Sequence, residues 1–435
     1  MFNIDEIPKD KSYNEKIEAN VSLWTTNNVH DPALFRDGDW YYVFSTDAQV
    51  GGTFKPGIQI RKSKDLMNWQ WVGRAFDDVP DTAREWTGAK GLWAPDVVKF
   101  GDTYFLYYAA SQFGKTQSLI GVATSKNIEG PWEDQGEVFK TKQDEGPNAI
   151  DPNISFDKDG KPWMVYGSFF DGIFVSEINP KTGKLVDYGK GKLIARRHLS
   201  VERAIEGPYI IYNEKYDYYY LFVSYDSLFV DYNIRVARSR NIEGPYLDFN
   251  GHDMTDITLP PGQVGMKVLG SYKFNHAQGW KAPGHNSVLK DGESYYVAHH
   301  VRKEHDKGHY LHVRKIGWTL DGWPLVSPER YAGEQEIVVE KEELLGKWEL
   351  LYFDQDHNGQ IESKEVYLST ESEQLDRLLL EHVSGNHFTL SSDHHATLNG
   401  VVTLAWDWEK WCKTYVFMGK DGHGNVVSGK RTQGK

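Results

Sequence analysis

The sequence predicts an all-β fold in which a five-bladed β-propeller is followed by a small C-terminal β-sandwich or barrel. Three observations lead to this fold class. A strand module is repeated five times, a second strand pair accompanies several copies of it, and the repetition stops well before the C-terminus. Segments with helical periodicity are scarce, and residues 371–381 are the best candidate for a helix.

The repeated module begins with a polar residue beside Pro or Gly and runs through a turn into an aromatic strand such as Trp40-Tyr41-Tyr42-Val43-Phe44. The copies recur at intervals of roughly 55 to 80 residues, which match or somewhat exceed the length of a propeller blade. They begin at Asp31-Pro32, Pro95-Asp96, Asp151-Pro152, Glu206-Gly207-Pro208 and Gly284-His285.

A second strand pair follows several copies, and its clearest sign is Asn-Ile-Glu-Gly-Pro at residues 127–131 and again at 241–245. Four strands per repeat make a blade, and radial packing of blades covers nearly all sheet edges. The inner strands of the blades start at one end of the central channel. The five leading residues are therefore expected to converge there, although they lie far apart in the sequence.

We place the propeller in residues 1–330 and the C-terminal domain in residues 331–435. The module pattern stops after Trp323-Pro324-Leu325-Val326, and a Glu-rich connector follows from Gly333 to Glu343. Short strands such as Val401–Trp406 come after it, which is typical of a separate small β-domain.

The composition favours a neutral ligand. The formal charge of −13 disfavours nucleic acid and anionic membranes as partners, because phosphate binding needs clustered Lys and Arg. The single cysteine, Cys412, excludes an intrachain disulfide. Residues 1–20 lack the apolar stretch of a signal peptide, so we expect a cytoplasmic protein, or a secreted one without its export signal. The oligomeric state is left open.

Three of the five runs begin directly with a carboxylate suited to catalysis, namely Asp31, Asp151 and Glu206. Glycoside hydrolysis needs one carboxylic acid to protonate the leaving oxygen and one carboxylate that acts on the opposite face of the sugar. A third carboxylate near the acid would raise its pKa. Asp-Pro and Glu-Gly-Pro also form turns, but three acids at one module position favour catalysis. Asp96 shares that position, so spacing alone does not select three of the four acids.

Residues 29 to about 326 resemble the family 43 glycoside hydrolases, and within them the endo-acting 1,5-α-L-arabinanases. The resemblance implies that Asp31 is the general base, Glu206 the general acid, and Asp151 the residue that orients the acid and tunes its pKa. The family inverts anomeric configuration, so the base should activate a water, with carboxyl groups roughly 6.5–9.5 Å apart. The segments that match are His30-Asp31-Pro32, Leu92-Trp93-Ala94-Pro95-Asp96, Asn148-Ala149-Ile150-Asp151-Pro152-Asn153, Ile205-Glu206-Gly207-Pro208-Tyr209 and Pro283-Gly284-His285-Asn286-Ser287.

The same resemblance implies a sugar-binding set and a metal. Trp93 would stack on an arabinose ring, although a role in the core is equally compatible with its position, and Asn148 and Ser168 would face the sugar. His285 would contribute to a site for one mostly water-coordinated calcium ion on the propeller axis. Calcium prefers oxygen ligands, so chemistry alone would make His285 a hydrogen-bonding residue. Three further histidines lie near it in sequence, namely His276, His299 and His300.

Three alternative functions follow from the same pattern. Relatives with nearly the same motifs are exo-acting α-L-arabinofuranosidases or β-xylosidases, and loop lengths in the sequence do not distinguish them. A propeller can also be a carbohydrate-binding module without activity. The matching acids favour a hydrolase whose partner is arabinan or arabino-oligosaccharide.

A second calcium loop is conceivable in the C-terminal domain. Residues 354–365 have oxygen donors at the spacing of an EF-hand loop, from Asp354 to Glu365, with Gly359 at the sixth position. The preceding segment, Trp348–Phe353, has the pattern of a strand rather than a helix, and Asn-Gly favours a turn. A polar hairpin is therefore the favoured interpretation.

Overall fold

A computed structural model describes residues 2–10, 14–305, 308–370, 377–392 and 395–432. It confirms the predicted fold class, with five blades of antiparallel strands and a closed seven-stranded C-terminal barrel. None of the helices in these ranges is long and apolar enough to cross a membrane.

The propeller strands follow one another blade by blade. Blade 1 contains β1 (Ala33–Asp37), β2 (Trp40–Ser45), β3 (Gln59–Ser63) and β4 (Gln70–Arg74). Blade 2 contains β5 (Trp93–Phe100), β6 (Thr103–Ala110), β7 (Ser118–Ser125) and β8 (Glu133–Thr141). Blade 3 contains β9 (Asn153–Phe156), β10 (Pro162–Tyr166), β11 (Ile173–Asn179), β12 (Lys184–Leu185) and β13 (Lys192–Ala195). Blade 4 contains β14 (Ile205–Asn213), β15 (Tyr218–Tyr225), β16 (Asn233–Ser239) and β17 (Met266–Leu269). Blade 5 contains β18 (Tyr272–Lys273), β19 (Trp280–Asp291), β20 (Ser294–Lys303), β21 (Tyr310–Trp318) and β22 (Pro324–Val326).

The remaining strands belong to the C-terminal domain, and the helices are short. The strands are β23 (Gly346–Phe353), β24 (Ile361–Glu362), β25 (Lys364–Ser369), β26 (Arg377–Ser384), β27 (His387–Ser392), β28 (His395–Asp407), β29 (Cys412–Lys420) and β30 (Val426–Arg431). The helices are α1 (Glu15–Glu18), α2 (Asp81–Thr87) and α3 (Lys341–Leu344), with 3₁₀ turns at Ile4–Glu6, Val21–Leu23 and Leu199–Val201.

The strands β1, β5, β9, β14 and β19 contact one another in a closed ring around the axis. Each is the strand that follows, or contains, one module-leading residue, so the ring explains why those residues meet. Apolar side chains fill the spaces between neighbouring blades, where Leu106 and Phe44 pack between blades 1 and 2. Comparable clusters lie between the other neighbouring blades.

Hydrogen bonds from one blade to the next hold this ring together. In each, a side chain of one blade accepts a hydrogen bond from a backbone N–H of an inner strand in the following blade. The pairs are Thr46 Oγ1 with Ala94 N (2.7 Å), Asp96 Oδ2 with Ile154 N (2.6 Å), Asn153 Oδ1 with Ile210 N (3.0 Å), Ser224 Oγ with His285 N (2.7 Å) and Ser287 Oγ with Leu34 N (2.9 Å). We call these the inter-blade bonds. A buried backbone N–H without a partner is costly, so each bond fixes the register of two neighbouring blades.

A short segment before blade 1 adds a further connection between blades 1 and 5. Asn27 forms a bridge with Tyr310 of β21, and backbone bonds join Asn28 N to His309 O (3.0 Å) and Leu311 N to Thr26 O (2.8 Å). Blade 5 is thereby attached to blade 1 without exchange of a whole strand.

The barrel has a filled interior, in which Trp348, Leu380 and Phe417 are buried. The helix expected at residues 371–381 is wrong where the structure describes it, because residues 377–381 begin β26. Leu378 and Leu380 alternate with more exposed neighbours there, which suits a barrel strand better than a helix. Residues 371–376 lie outside the described ranges.

The barrel packs on blades 4 and 5. Strand β24 pairs in parallel with β18 and so extends blade 5. Apolar residues of both domains share one cluster, in which Leu351, Phe353 and Met418 of the barrel meet Tyr272 of blade 5. The two domains therefore have a common core at their junction.

The loop between β23 and β25 contains the EF-hand-like string and connects two antiparallel strands, as a hairpin does. Its main-chain carbonyls face the propeller. The Lys267 ammonium donates to Asp354 O (2.8 Å) and His357 O (2.6 Å), and Arg235 donates to Gln355 O (2.7 Å). Side chains of blade 4 thus hold this loop against the propeller, and the calcium loop stays a prediction.

Candidate active site

Three of the module-leading residues adopt a left-handed backbone conformation, namely Asp31 (φ 52°), Asp151 (φ 58°) and His285 (φ 48°). For residues other than glycine this conformation costs on the order of 1–3 kcal/mol and is concentrated at functional sites. Asp31 lies shortly before β1, Asp151 shortly before β9, and His285 within β19. The side chains of Asp31 and His285 contact each other there.

Asp31 lies within a group of imidazoles. Its Oδ1 is 2.8 Å from His30 Nδ1, 3.1 Å from His285 Nδ1 and 3.5 Å from His300 Nδ1. Its Oδ2 accepts a hydrogen bond from Thr46 Oγ1 (2.6 Å). Burial alone would raise the pKa of the Asp31 carboxyl, but His285 and His30 outweigh burial and hold that pKa well below its usual range. Asp31 is therefore ionised at neutral pH.

Asp151 is equally buried but has acidic neighbours. Burial raises the pKa of its carboxyl well above the usual range, and the charges of Glu206 and Asp31 raise it further. Its one backbone partner is Gly207, whose N–H donates to Oδ2 (3.1 Å). The raised pKa means that the Asp151 carboxyl resists ionisation beside these acidic neighbours.

Asp96, the fourth acid, has a structural role. Its Oδ2 accepts from Ile154 N (2.6 Å) and from Asn153 Nδ2 (3.0 Å) and so joins blade 2 to blade 3. Burial raises the pKa of its carboxyl to about 7. The structure thus separates Asp96 from the three acids that act on one another, which spacing in the sequence could not do.

Glu206 is held at both carboxylate oxygens. Ser168 Oγ donates to Oε2 (2.9 Å), and the hydroxyl of Tyr232 donates to Oε1 (2.7 Å). Two glycines make room for this arrangement. A Cβ on Gly207 (φ 56°) would lie 3.0 Å from the His285 ring, and one on Gly284 would lie 2.0 Å from the Tyr232 ring.

A column of stacked rings connects the environments of the acid and of Asp31. The Tyr232 ring stacks on His300 with centroids 5.6 Å apart, and His300 stacks on His30 at 3.7 Å. Tyr232 contacts Glu206, and His30 contacts Asp31. The column is buried at Tyr232 and His300, so the two carboxyl environments are fixed relative to each other by packed side chains.

A cavity of about 540 Å³ opens beside Glu206 and is lined by Trp93, Asn148 and Ser168 as well. Trp93 is half-buried there, which favours the stacking role over a place in the core. Asn148 Oδ1 accepts from Ser118 Oγ (2.7 Å), so the orientation of its amide is fixed. All three residues predicted to bind the sugar therefore line one cavity together with the predicted acid.

His285 lies beside Asp31, and several buried polar atoms nearby have no protein partner in the described part of the chain. They are both side-chain atoms of Asn286, both ring nitrogens of His309, and His300 Nε2. Such atoms on the axis are suited to bind water or an ion. The donors are rich in nitrogen, so they fit a calcium ion only if water supplies most of its oxygen ligands.

Sequence reasoning missed three residues of this site. Tyr232 and His300 follow no module position, and only the fold brings them to Glu206 and Asp31. Thr46 follows strand β2 and contacts both Asp31 and the next blade. His30 was part of a matching segment, but its contact with Asp31 was not predicted.

The comparisons with known proteins agree with this geometry. Residues 25–324 match the family model described as glycosyl hydrolases family 43, and residues 328–429 match its C-terminal lipocalin-like domain. The extracellular endo-α-(1→5)-L-arabinanase 2 of Bacillus subtilis is 35% identical over 390 residues, which are 79% of this chain and 80% of that protein. The extracellular exo-α-(1→5)-L-arabinofuranosidase of Cellvibrio japonicus is 35% identical over 323 residues, 69% of this chain and 86% of that protein.

Among solved structures, the endo-1,5-α-L-arabinanase of Thermotoga petrophila aligns with a TM-score of 0.83 at 30% sequence identity. The alignment covers 94% of this chain and 99% of that one, so it includes both the propeller and the barrel. On the family match and these relatives, the chain belongs to glycoside hydrolase family 43.

Proposed function

We propose that this chain is an inverting hydrolase that cleaves internal α-1,5-arabinofuranosidic bonds of arabinan. The observation that carries the proposal is the contrast between Asp31, whose carboxyl has a pKa well below its usual range, and Asp151, whose carboxyl has a raised pKa beside Glu206 in the same cluster. A binding module needs neither state. The endo-arabinanases among the relatives support arabinan as the substrate.

In the proposed reaction, Asp31 accepts a proton from a water molecule as that water attacks the anomeric carbon. The glycosidic C–O bond breaks, and Glu206 gives its proton to the departing oxygen. Ser168 and Tyr232 hold the Glu206 carboxyl in place for that transfer. Asp151 accepts from Gly207 N and so positions the residue next to Glu206, while burial and its acidic neighbours raise the pKa of its own carboxyl.

Calcium remains part of the proposal. His285 would hold one ion on the axis, with water as its remaining ligands, and the ion would add positive charge near Asp31. The relatives named as extracellular support action outside the cell.

A time course of products tests the function. The substrates are linear 1,5-α-arabinan, arabino-oligosaccharides and xylo-oligosaccharides, each with and without a calcium chelator. Mixed arabino-oligosaccharides at early times, with inverted configuration by NMR, are expected. Arabinose or xylose alone would indicate an exo-acting enzyme, and no product from any substrate would indicate a binding module.

A further inference from the structure

A second groove of about 480 Å³ lies on the rim of blade 3, next to the cavity beside Glu206. The two share Phe170, Leu199 and Arg203 as lining residues. We call it the rim groove. A saccharide chain that leaves the catalytic cavity past these three residues would enter the rim groove directly.

The rim groove is basic, although the whole chain has a formal charge of −13. Five of its described lining residues can carry positive charge, and Asp171 is the one carboxylate among them. The basic residues are Lys190, Arg196, Arg197, His198 and Arg203. Basic side chains gathered in a cleft of an acidic protein raise the local concentration of anions.

Two of these charges are already neutralised. Arg197 is buried against Asp226, with Nη1 to Oδ1 at 2.6 Å. Arg203 lies 3.6 Å from Asp171 and donates to Phe170 O (2.9 Å), which fixes it at the junction of the two cavities. These pairs shape the groove but do not supply its excess charge.

The excess comes from Arg196 and Lys190, which have no carboxylate partner among the described residues. Arg196 donates through Nε to Thr255 O (3.0 Å), so its guanidinium is oriented while the terminal nitrogens are left for a ligand. Lys190 lies over the Phe174 ring at 5.7 Å. An oriented guanidinium is matched to the two oxygens of a carboxylate.

We propose that the rim groove binds a carboxylate-bearing sugar residue, a uronic acid, of the polysaccharide whose arabinose units occupy the catalytic cavity. Phe170 and Leu193, which are both half-buried, give the groove apolar walls that can pack on a sugar ring. Two unpaired cations suit one carboxylate, whereas the net charge of the chain opposes a long polyanion. The proposal rests on the proposed polysaccharide hydrolase function.

The test uses pairs of arabino-oligosaccharides of equal length, one neutral and one with a terminal sugar oxidised to a carboxylate. We expect KM for the carboxylated member to be roughly two- to fivefold lower at low salt, because both cations are exposed and exposed ion pairs contribute modestly. The advantage should shrink at high ionic strength, because salt screens exposed charges. The double variant Arg196→Gln, Lys190→Gln should bring the ratio of the two KM values close to one.

The matched control is Lys181→Gln, which changes an exposed lysine in the turn between β11 and β12 and should preserve the ratio. Equal KM values for the two substrates in the unmodified protein would overturn the proposal, as would an unchanged ratio in the double variant. Calorimetric binding of the carboxylated oligosaccharide to the Glu206→Gln variant is measured beside arabinan hydrolysis by the unmodified protein, which separates the two hypotheses. Charge-dependent binding to the variant with no hydrolysis of any arabinan by the unmodified protein would refute the proposed function alone, and hydrolysis without charge preference would refute the rim groove alone.

Discussion

Asp31 and Asp151 are both buried carboxyls at the entrance to an inner strand, yet their pKa values move in opposite directions. Burial raises both, so the neighbours decide the difference. Imidazoles surround Asp31, whereas Asp151 faces Glu206 and Asp31. The same module position therefore yields a base in one blade and a proton-retaining carboxyl in another, because each blade supplies a different environment.

The variant Glu206→Gln tests the acid at this scale. It preserves shape but has no proton to give, so we expect turnover of arabinan to fall by about 10²–10⁴-fold. An aryl arabinofuranoside with a strongly acidic phenol should lose far less, because its leaving group departs without protonation. Equal losses on the two substrates, measured as kcat/KM, would mean that Glu206 is not the acid.

Tyr232→Phe tests the hydroxyl that contacts Glu206. A hydrogen bond to a charged group contributes roughly 1.5–3 kcal/mol, so kcat should fall at least about tenfold. Loss of this donor also removes one of the two contacts that orient the Glu206 carboxyl for proton transfer. The fall in kcat should therefore be much smaller for an aryl arabinofuranoside with a strongly acidic phenol, whose leaving group needs no proton.

Tyr225→Phe is the matched control for that variant. Tyr225 is buried in the same blade, and its hydroxyl has no hydrogen-bond partner in the described chain. Its kcat values on both substrates should match those of the unmodified protein. Equal losses of kcat on arabinan and on the aryl arabinofuranoside would indicate a purely structural role for Tyr232.

The sequence predicted Asp31, Asp151 and Glu206 because a repeat aligns residues that share a structural position. It could not predict Tyr232 or His300, since each reaches the site through packing between blades rather than through a position in the module. Asp96 shows the converse. Its module position suggested chemistry, but its contacts are with Ile154 and Asn153 of the next blade.

At the scale of elements, the inter-blade bonds explain how five similar sheets keep one register. Ser287→Ala removes the acceptor of Leu34 N between blades 5 and 1. A buried N–H without a partner costs about 1–3 kcal/mol, so the free energy of unfolding should fall by that amount in urea denaturation. Ser176→Ala is the control, since that buried hydroxyl has no partner within the described residues. Equal losses of unfolding free energy in the two variants would mean that the Ser287 hydrogen bond does not stabilise the ring.

The blades were predictable because alternating aromatic strands and turn residues repeat, which is a local signal. The barrel strand β26 was mistaken for part of a helix because polar residues precede its run of leucines. Only closure of the barrel makes Leu378 and Leu380 face one interior. Tertiary context here overrides local periodicity.

At the scale of the whole molecule, buried carboxyls should make stability depend on pH. Burial raises the pKa of Asp47 to about 6, of Asp96 to about 7 and of Glu334 to about 7. Each of these three carboxyls therefore binds more protons in the folded chain than in the unfolded chain between about pH 4 and its raised pKa, so its contribution to stability falls as pH rises. Burial holds the pKa of His300, His309 and His312 well below the usual range, and these groups contribute in the opposite direction. Urea midpoints from pH 4.5 to 8 measure this.

Asp96→Asn removes one of these titrating groups. It should flatten the slope by up to about 1.4 kcal/mol per pH unit within that window. A stability that climbs steadily from pH 5 to pH 8 would show that these buried carboxyls do not dominate the pH dependence.

The inter-blade bonds also bear on how such enzymes diversify. The distance across the channel from Asp31 to Glu206 is set by a bonded ring of inner strands and by the packed column Tyr232–His300–His30. The loops that line the cavity and the rim groove lie outside that ring. Mutation can therefore reshape which saccharides are admitted while the stereochemical outcome of cleavage is inherited unchanged.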